Sequence, residues 1–482
     1  MSLPSVEWAP LMPILTVTTA ALAVLVVDLF LEGPDREALA WLSLFGLVVT
    51  GVVSAVLWGR DVKTLAGTIA LDDYAVFFDL LFAIASGLCV MMAVDYLATT
   101  RVRGGEYYSL VLFATAGMMT MAAATDLIVI FLGLEVMSIA VYVLAGVWRS
   151  EIRSNEAALK YFLLGAFATG FLLFGIALVY AATRTTRLEA IADFLGRNPS
   201  ESKELLALGV GLLVVGFGFK VAAVPFHVWT PDVYEGAPTS VTVLMAVGVK
   251  AAAFAAFARV FLVAIAEVSA DWSQVLWWLA VATMTVGNVL AISQSNVKRM
   301  LAYSSIAHAG YLLVAMVAGG EAGGAALLFY LLAYAATNLG AFGIVMALAR
   351  SGEPNEEIER YAGLAERRPL MALAMAAFML SLAGVPPLVG FAGKFYVFRA
   401  AIESGYVGLA VIGVLNSVVS AYYYIWLIVT MYMREGTLEP PALSSRPYLA
   451  TAIGIAAVAT VLLGVLPGLA FPLAHRGMLS LG

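Results

Sequence analysis

The sequence predicts an all-α membrane protein of about 14 transmembrane helices, with two inverted five-helix repeats that contain broken helices. Three observations predict it. The composition is too apolar for a water-soluble body. The chain divides into apolar stretches long enough to cross a membrane. Two of those stretches repeat one another, and each is followed by a span interrupted at proline.

The first observation concerns surface chemistry. Of 482 residues, 62% are hydrophobic and 12% are charged, and the mean hydropathy is +0.96. A soluble chain is about half apolar and about a quarter charged. Half that charge cannot coat a soluble protein of this size. A soluble enzyme and a disordered chain are both excluded. Cys89 is the single cysteine, which leaves no disulfide framework, thiolate zinc site or iron–sulfur cluster on this chain. The three histidines, His227, His308 and His475, are too dispersed to suggest a haem or metal cluster. No phosphate-binding loop and no dinucleotide fingerprint occurs. With 26 basic and 32 acidic residues there is no basic excess for nucleic acid. The chain is expected to bind no cofactor or metal and to work with its own side chains inside a bilayer.

A span needs about 20 apolar residues. Such stretches fall at roughly 10–31, 38–58, 73–98, 107–124, 126–147, 157–182, 205–228, 238–265, 273–293, 297–318, 324–349, 369–403, 406–433 and 447–470. Helix is the default, because lipid cannot satisfy an open strand edge, and the alternation of a membrane barrel is missing. The longest linkers, 183–204 and 350–368, are polar and could each hold a short surface helix. No Lys or Arg precedes Arg36, so the first span is not expected to be a cleaved signal peptide. Loops after odd-numbered spans hold 13 basic residues (Arg36, Arg101, Arg103, Arg149, Arg153, Lys298, Arg299, Arg350, Arg360, Arg367, Arg368, Arg434, Arg446). The other side holds 8 (Arg60, Lys63, Arg184, Arg187, Arg197, Lys203, Arg399, Arg476). Basic loops stay in the cytoplasm, so both termini are expected outside it.

Residues 157–176, AALKYFLLGAFATGFLLFGI, align without gaps on residues 325–344, AALLFYLLAYAATNLGAFGI. Val224-Pro225 interrupts the seventh span, and Val385-Pro386-Pro387 the twelfth. The matched spans are five apart, which reverses their direction in the membrane. Inverted repeats with broken helices are a transporter signature, with the working site near the breaks. The organisation expected is a three-helix segment 1–106, repeats at 107–265 and 273–433, and a terminal helix within 434–482.

Five charges lie too deep for loop residues: Glu135, Lys160, Lys220, Lys250 and Lys394. Each costs about 2.5–3.5 kcal/mol or more at the bilayer centre, so such residues mark ion or proton routes. Glu135 is nearly mid-span. Lys220 stands five residues before Pro225, Lys250 among small residues, and Lys394 seven past Pro387. Lys160 lies near the start of its span, within reach of Glu156 one turn earlier. A buried amine gives up its proton more readily than one in water, whereas arginine stays charged. A glutamate and a lysine at adjustable distance therefore make a proton switch. His308, mid-span, and His227, after Pro225, could relay protons or simply pack. Ser138, Tyr303, Ser304, Ser305, Thr337 and Asn338 are polar groups that could hold water or join helices. Asp126, Asp232 and Glu235, at span ends or in loops, read as structural.

The segment KVAAVPFHVWTPDVYEGAPTSVTVLMAVGVK at 220–250 resembles the antiporter-like membrane subunits of respiratory complex I, relatives of Mrp-type sodium/proton antiporter subunits. FLGLE in the fifth span, KRMLAYSSIAHAGY at 298–311 and AGVPPLVGFAGKF at 383–395 match the same family, and the resemblance covers nearly the whole chain. Of the family's three types, the L type carries a long lateral helix after the last span, which is not expected here. At Lys394 the chain lacks the glutamate usual in the M type, which leaves the N type. The resemblance implies that Glu135 and Lys220 form a charged pair, that Lys250 is the central lysine and Lys394 the terminal exchanger, and that His308 lies on the axis between them. It implies that NADH, FMN, iron–sulfur clusters and quinone belong to partner subunits, and that this chain translocates protons in step with quinone reduction elsewhere. It implies a multi-pass protein of the bacterial cytoplasmic (inner) membrane. Its partners would be lipid, peripheral subunits, and membrane subunits that include neighbouring antiporter-like ones. The alternative is an Mrp-type cation/proton antiporter subunit. Sodium would want an oxygen cage, and only Glu135 is a deep carboxylate.

Overall fold

A computed structural model describes residues 6–31, 37–97, 104–197, 203–349, 356–436 and 446–481. Arg36, Arg101, Arg103 and Arg350 and parts of both long linkers lie outside the described residues. In chain order the helices are α1 (Met12–Asp28), α2 (Glu37–Val56), α3 (Asp73–Leu97), α4 (Gly104–Ala123), α5 (Leu127–Ala145), α6 (Ile152–Thr183), α7 (Leu188–Arg197), α8 (Lys203–Val221), α9 (Thr230–Gly236), α10 (Thr239–Leu244) and α11 (Lys250–Arg259). Then come α12 (Ser269–Ile292), α13 (Val297–Ala318), α14 (Gly320–Leu348), α15 (Leu364–Arg367), α16 (Pro369–Ala383), α17 (Val389–Glu403), α18 (Val407–Met433), α19 (Pro447–Val465) and α20 (Phe471–Leu479).

Among the described residues 12 helical runs are long and apolar enough to cross a membrane, against fourteen expected. The difference has two causes. The stretch 369–403 is two helices of 15 residues each, so neither half spans alone. Helix α4 is 20 residues long but opens on Glu106, Tyr107, Tyr108 and Ser109, which dilute its hydropathy. The seventh stretch is also cut short: α8 stops at Val221, and residues 222–229 are irregular. A small antiparallel hairpin, β1 (Val62–Thr64) with β2 (Ile69–Leu71), was not expected at all. It caps one face of the bundle.

On that hairpin face Ile69 bridges Ala124, Lys63 pairs with Glu189 of α7, Ser480 accepts a hydrogen bond from the Tyr74 amide at 2.9 Å, and Leu11 packs against the cluster of Ile69 and Ala75. Both ends of the described chain thus lie on the same face. The opposite face carries α9, the N-terminal ends of α6 and α13, and a dense ion-pair network. Asp232 accepts from Lys160 at 2.7 Å and from Arg299 at 2.8 Å, and Glu235 accepts from Arg299 at 2.9 Å. Lys298 pairs with Glu356 at 3.1 Å.

The two breaks end alike. Helix α8 closes with Ala222 in the left-handed region (φ 62°) and Ala223 N–H bonded to Gly218 O at 2.8 Å. Helix α16 closes with Gly384 (φ 90°) and Val385 N–H bonded to Leu380 O at 3.0 Å. Both are helix stops in which the chain turns left-handed and the amide beyond the turn reaches back five residues. A cis X-Pro bond follows each, at Val224-Pro225 and Pro386-Pro387.

A second likeness runs along the chain with a constant shift of 170 positions. Asp126 caps α5 and bridges Arg187; Asn296 caps α13 and bridges Glu357. Leu127 N–H bonds Thr186 O at 2.9 Å, and Val297 N–H bonds Glu356 O at 2.7 Å. The helix crossings follow the same shift. A Cβ at Gly117 would fall 2.5 Å from Met137 N and 2.7 Å from Gly133 O; one at Gly287 would fall 2.6 Å from Ala307 N and 3.0 Å from Tyr303 O. Only glycine lets the backbones of α4 and α5, or of α12 and α13, approach this closely. The first member of each matched pair lies at the hairpin-face ends of α4 and α5, the second at the opposite-face ends of α12 and α13.

The run Thr239–Ala264 crosses the bundle through α10 and α11, buried but for the partly exposed Leu262 and Val263, and contains two π-helical segments, Met245–Val249 and Val260–Ala264. Its alanines admit close neighbours on every side. Arg259, near its end, donates to both oxygens of Asp72 at 2.7 and 2.8 Å and lies over the Tyr74 ring, with both charged side chains 5% exposed or less. Arg259→Leu strands the Asp72 carboxylate in the core, which should cost about 3–5 kcal/mol. Thermal unfolding of the assembled complex should drop accordingly, and Arg259→Leu with Asp72→Leu should recover most of the loss. A single mutant as stable as the parent would remove this pair from the fold's supports.

Candidate functional site

Lys220, Lys250, His308 and Lys394 are each 2–4% exposed, and the fold brings them into one polar band across the bundle. Each of the three lysines is placed by a local departure from regular helix, and His308 by the middle of the regular helix α13. Lys220 is in the last turn of α8, just before the first break. Lys250 follows directly on a π segment, a feature common at functional sites. Lys394 lies in the second turn of α17, just after the second break.

The Lys220 ammonium donates to Ser138 Oγ at 2.7 Å and to Tyr142 Oη at 3.2 Å, over the faces of Tyr142 and Tyr161. The Lys250 ammonium donates to Ser305 O at 2.6 Å and also to Ser305 Oγ, with the Tyr334 ring 5.5 Å away. His308 Nδ1 is 2.7 Å from Tyr330 Oη and its Nε2 is 3.2 Å from Tyr424 Oη. Tyr424 Oη is in turn 2.5 Å from Ser304 Oγ. The Lys394 ammonium donates to Leu382 O at 2.9 Å, Ala383 O at 3.0 Å and Ser417 Oγ at 2.7 Å, above the Tyr311 ring at 4.8 Å. Ser304, Ser305, His308 and Tyr311 recur at helical spacing on one face of α13, so one helix serves Lys250 at one end and Lys394 at the other. A groove of about 670 Å³ runs beside Lys394 toward the exposed pair Arg399–Glu403 at the hairpin-face end of α17.

Every acceptor of the three lysines is a hydroxyl or a carbonyl. Among the described residues no carboxylate lies within 4.0 Å of Lys220, Lys250 or Lys394. The Glu135–Lys220 pair is therefore open. Glu135 is half-buried on α5 and its Oε1 is buried without a hydrogen-bond partner. Lys160 does not join the band. It is half-exposed, with Glu156 at 2.7 Å and Asp232 at 2.7 Å, in the network on the opposite face. His227 sits in the first break, half-buried, and no hydrogen bond joins its ring to the lysines. Of the other interior polar residues, Thr337 meets Ser381 at the second break at 3.0 Å, and Asn338 bonds its own helix through Tyr334 O.

Several buried charges escaped the reading of the sequence, among them Asp79, Asp72 and Arg259. Asp79 is 3% exposed on α3, with Ser54 Oγ at 3.4 Å and its Oδ1 without a partner. The signal was present, an acid inside the apolar run VFFDLLFAIAS and an arginine inside AAAFAAFARVFLVA. The tyrosine hydroxyls of Tyr142, Tyr330 and Tyr424 carried no such signal. Among the described residues no three His, Cys, Asp or Glu side chains gather as a metal site would require.

Residues 124–420 match the family described as NADH:quinone oxidoreductase/Mrp antiporter, transmembrane. The chain is 48% identical to NADH-quinone oxidoreductase subunit N of Trichlorobacter lovleyi, over 97% of this chain and 96% of that one. It is 44% identical to the subunit N of Chloroflexus aggregans, over 100% and 99%. Among solved structures, a chain of respiratory complex I from Thermus thermophilus with bound aureothin superposes with a TM-score of 0.81 at 36% identity, covering 95% of this chain and 98% of that one. A chain of the Mrp complex from a Dietzia species shares the fold alone, with a TM-score of 0.84 at 22% identity over 98% of this chain and 97% of that one. With its lysine-bearing breaks, its buried His308 and near-complete alignment to these subunits, the chain belongs to the subunit N family of NADH-quinone oxidoreductase, the antiporter-like membrane subunits of complex I.

Proposed function

We propose that this chain moves protons through Glu135, Lys220, Lys250, His308 and Lys394, driven by quinone reduction in partner subunits. The observation that carries the reading is the contrast between two kinds of buried cation. Arg259 and Lys298 are ion-paired, as structural charges in a core must be. Lys220, Lys250 and Lys394 rest on neutral acceptors only. No fixed anion holds their protons, so each can pass its proton on. Glu135 and Lys220 make the switch, Lys250 and His308 relay, and Lys394 exchanges with the outer phase through its groove. His227, in the break beside Lys220, admits protons from the membrane surface. Lys160 holds α9 through Asp232 and so fixes the far end of the first break.

The constant shift of 170 positions and the matched breaks support two inverted repeats at 107–265 and 273–433, flanked by the segments 1–106 and 434–482. Under this relation Glu135 and Ser138 on α5 stand where Ser305 and His308 stand on α13. The exposed stripe Ile128, Leu132, Val136, Ile139 and Val143, which borders Glu135, supports a neighbouring antiporter-like subunit or lipid on that side. NADH, FMN, iron–sulfur clusters and quinone are assigned to partner subunits. The chain is assigned to the bacterial cytoplasmic membrane, with the hairpin face and both termini outside.

Lys220→Ala should abolish the switch. Proton uptake by inverted vesicles and coupled quinone reduction should fall together, by at least about tenfold, equivalent to ~1.4 kcal/mol in the barrier. Full pumping by this variant would sink the assignment. Lys394→Arg keeps the positive charge but cannot release a proton. It should assemble and pump poorly; an arginine variant equal to the parent would make Lys394 a fixed charge. For the orientation, Arg60→Cys and Arg149→Cys in a Cys89→Ser background can be probed with an impermeant thiol reagent. Intact cells should label position 60 and spare position 149, and the reverse pattern would invert the topology.

A further inference from the structure

Glu135, Ser138 and Tyr142 lie on one face of α5 at helical spacing, so the two hydroxyls stand about one and two turns from the carboxylate. Lys220 is on the hydroxyls. Ser138 donates its own proton to Leu134 O at 2.5 Å, which leaves its lone pairs to accept from the ammonium. Tyr142 is braced for the same task. Its ring meets Tyr161 edge-on at 4.8 Å, and a Cβ at Gly165 would overlap its hydroxyl, so the glycine leaves the space in which that hydroxyl sits. Tyr161 stacks on Trp229 of the broken segment at 4.4 Å, and Trp229 Nε1 donates to Phe219 O, the carbonyl next to Lys220. The faces of Tyr142 and Tyr161 complete the surroundings of the ammonium.

We propose that Ser138 and Tyr142 form a hydroxyl dock that holds Lys220 off Glu135, so that the Glu135–Lys220 contact is made and broken by movement of the lysine along one face of α5. This deepens the proton-path reading and rests on it. Ser138 and Tyr142 are positioning residues: they act by setting where the ammonium rests. The dock and the carboxylate compete for one cation. Without the dock the lysine stays on Glu135 and the switch is locked closed.

The test uses the whole complex in native membranes, with Ser138→Ala/Tyr142→Phe, Ser138→Thr/Tyr142→Phe and Gly165→Ala beside Lys220→Ala. Tyr142→Phe keeps the ring packing, so the double variant removes acceptors without opening a cavity at the tyrosine. Coupled quinone reduction and proton uptake should fall at least about tenfold in the double variant, the worth of one hydrogen bond to a charged group. Cryo-electron microscopy of that variant should show Lys220 Nζ moved onto the Glu135 carboxylate. Threonine at 138 should return most of the rate, since it restores one acceptor, and Gly165→Ala should impair turnover by displacing the Tyr142 hydroxyl. A double variant with the parent's rate, or one in which Lys220 remains off Glu135, overturns the dock. So does a slow double variant that threonine does not rescue. If Lys220→Ala pumps normally, the proton-path reading itself fails; if it is inactive while the double variant is normal, only the dock fails.

Discussion

Hydrocarbon offers no hydrogen-bond partner, so a helix that stops inside a membrane must find partners for its loose carbonyls and amides within the protein. Both breaks in this chain obey that constraint, and the functional groups are placed by it. At the second break the free carbonyls of Leu382 and Ala383 are taken up by the Lys394 ammonium. At the first break Trp229 Nε1 takes Phe219 O, and Thr283 Oγ1 takes the Val224 amide. A lysine with three donors suits a helix C-terminus, where several acceptors converge and the dipole is negative. The break thus supplies a neutral nest for a cation, and the cation satisfies a backbone that lipid could not.

The same logic extends along α13. Its polar face offers Ser305 to Lys250, His308 to two tyrosine hydroxyls, and the Tyr311 ring to Lys394. Helix α5 offers a matching face to Lys220 through Ser138 and Tyr142. Each helix is fixed at its start by a polar cap, Asp126 or Asn296, and at its middle by a glycine-sized crossing with the helix before it. A cap sets the depth of the helix and a crossing sets its rotation. Together they determine which side chains meet the lysines.

Much of this was legible in the sequence. A charge inside an apolar run is expensive, which picked out Lys220, Lys250 and Lys394, and proline dipeptides inside two spans gave the breaks. Lys160 met the same criterion and yet lies at the surface, because depth within a helix is not depth within a bundle: eight residues into α6 it still reaches Asp232 outside. Arg259 went unread although it stands inside an apolar run, and Asp72 because it sits just before a helix, where a charge is ordinary until the fold buries it. Ser138, Ser304 and Ser305 stood out as interior polar groups, but which cation each hydroxyl meets was illegible for a different reason. Tyrosine and serine are common in membrane helices, and only the crossing of α5 with α6 and α8 decides that Tyr142 rather than Tyr161 bonds Lys220. The hairpin at 62–71 was hidden by brevity, since three-residue strands have too few positions to show an alternating pattern.

The distribution of carboxylates separates stability from transport. Near the two faces, cations meet anions: Arg259 with Asp72, Lys298 with Glu356, Arg299 with Asp232 and Glu235. Between the faces the cations meet oxygens without formal charge, and the deep glutamate stands apart from all of them. A carboxylate beside each lysine would have made the bundle easier to assemble and its protons harder to move. Asp79 fits neither class, a buried acid whose Oδ2 accepts from Ser54 Oγ at 3.4 Å and whose Oδ1 has no hydrogen-bond partner. The interior thus holds two kinds of charge, cations paired with anions near the faces and cations resting on hydroxyls and carbonyls between them, the arrangement that the proposed proton path requires.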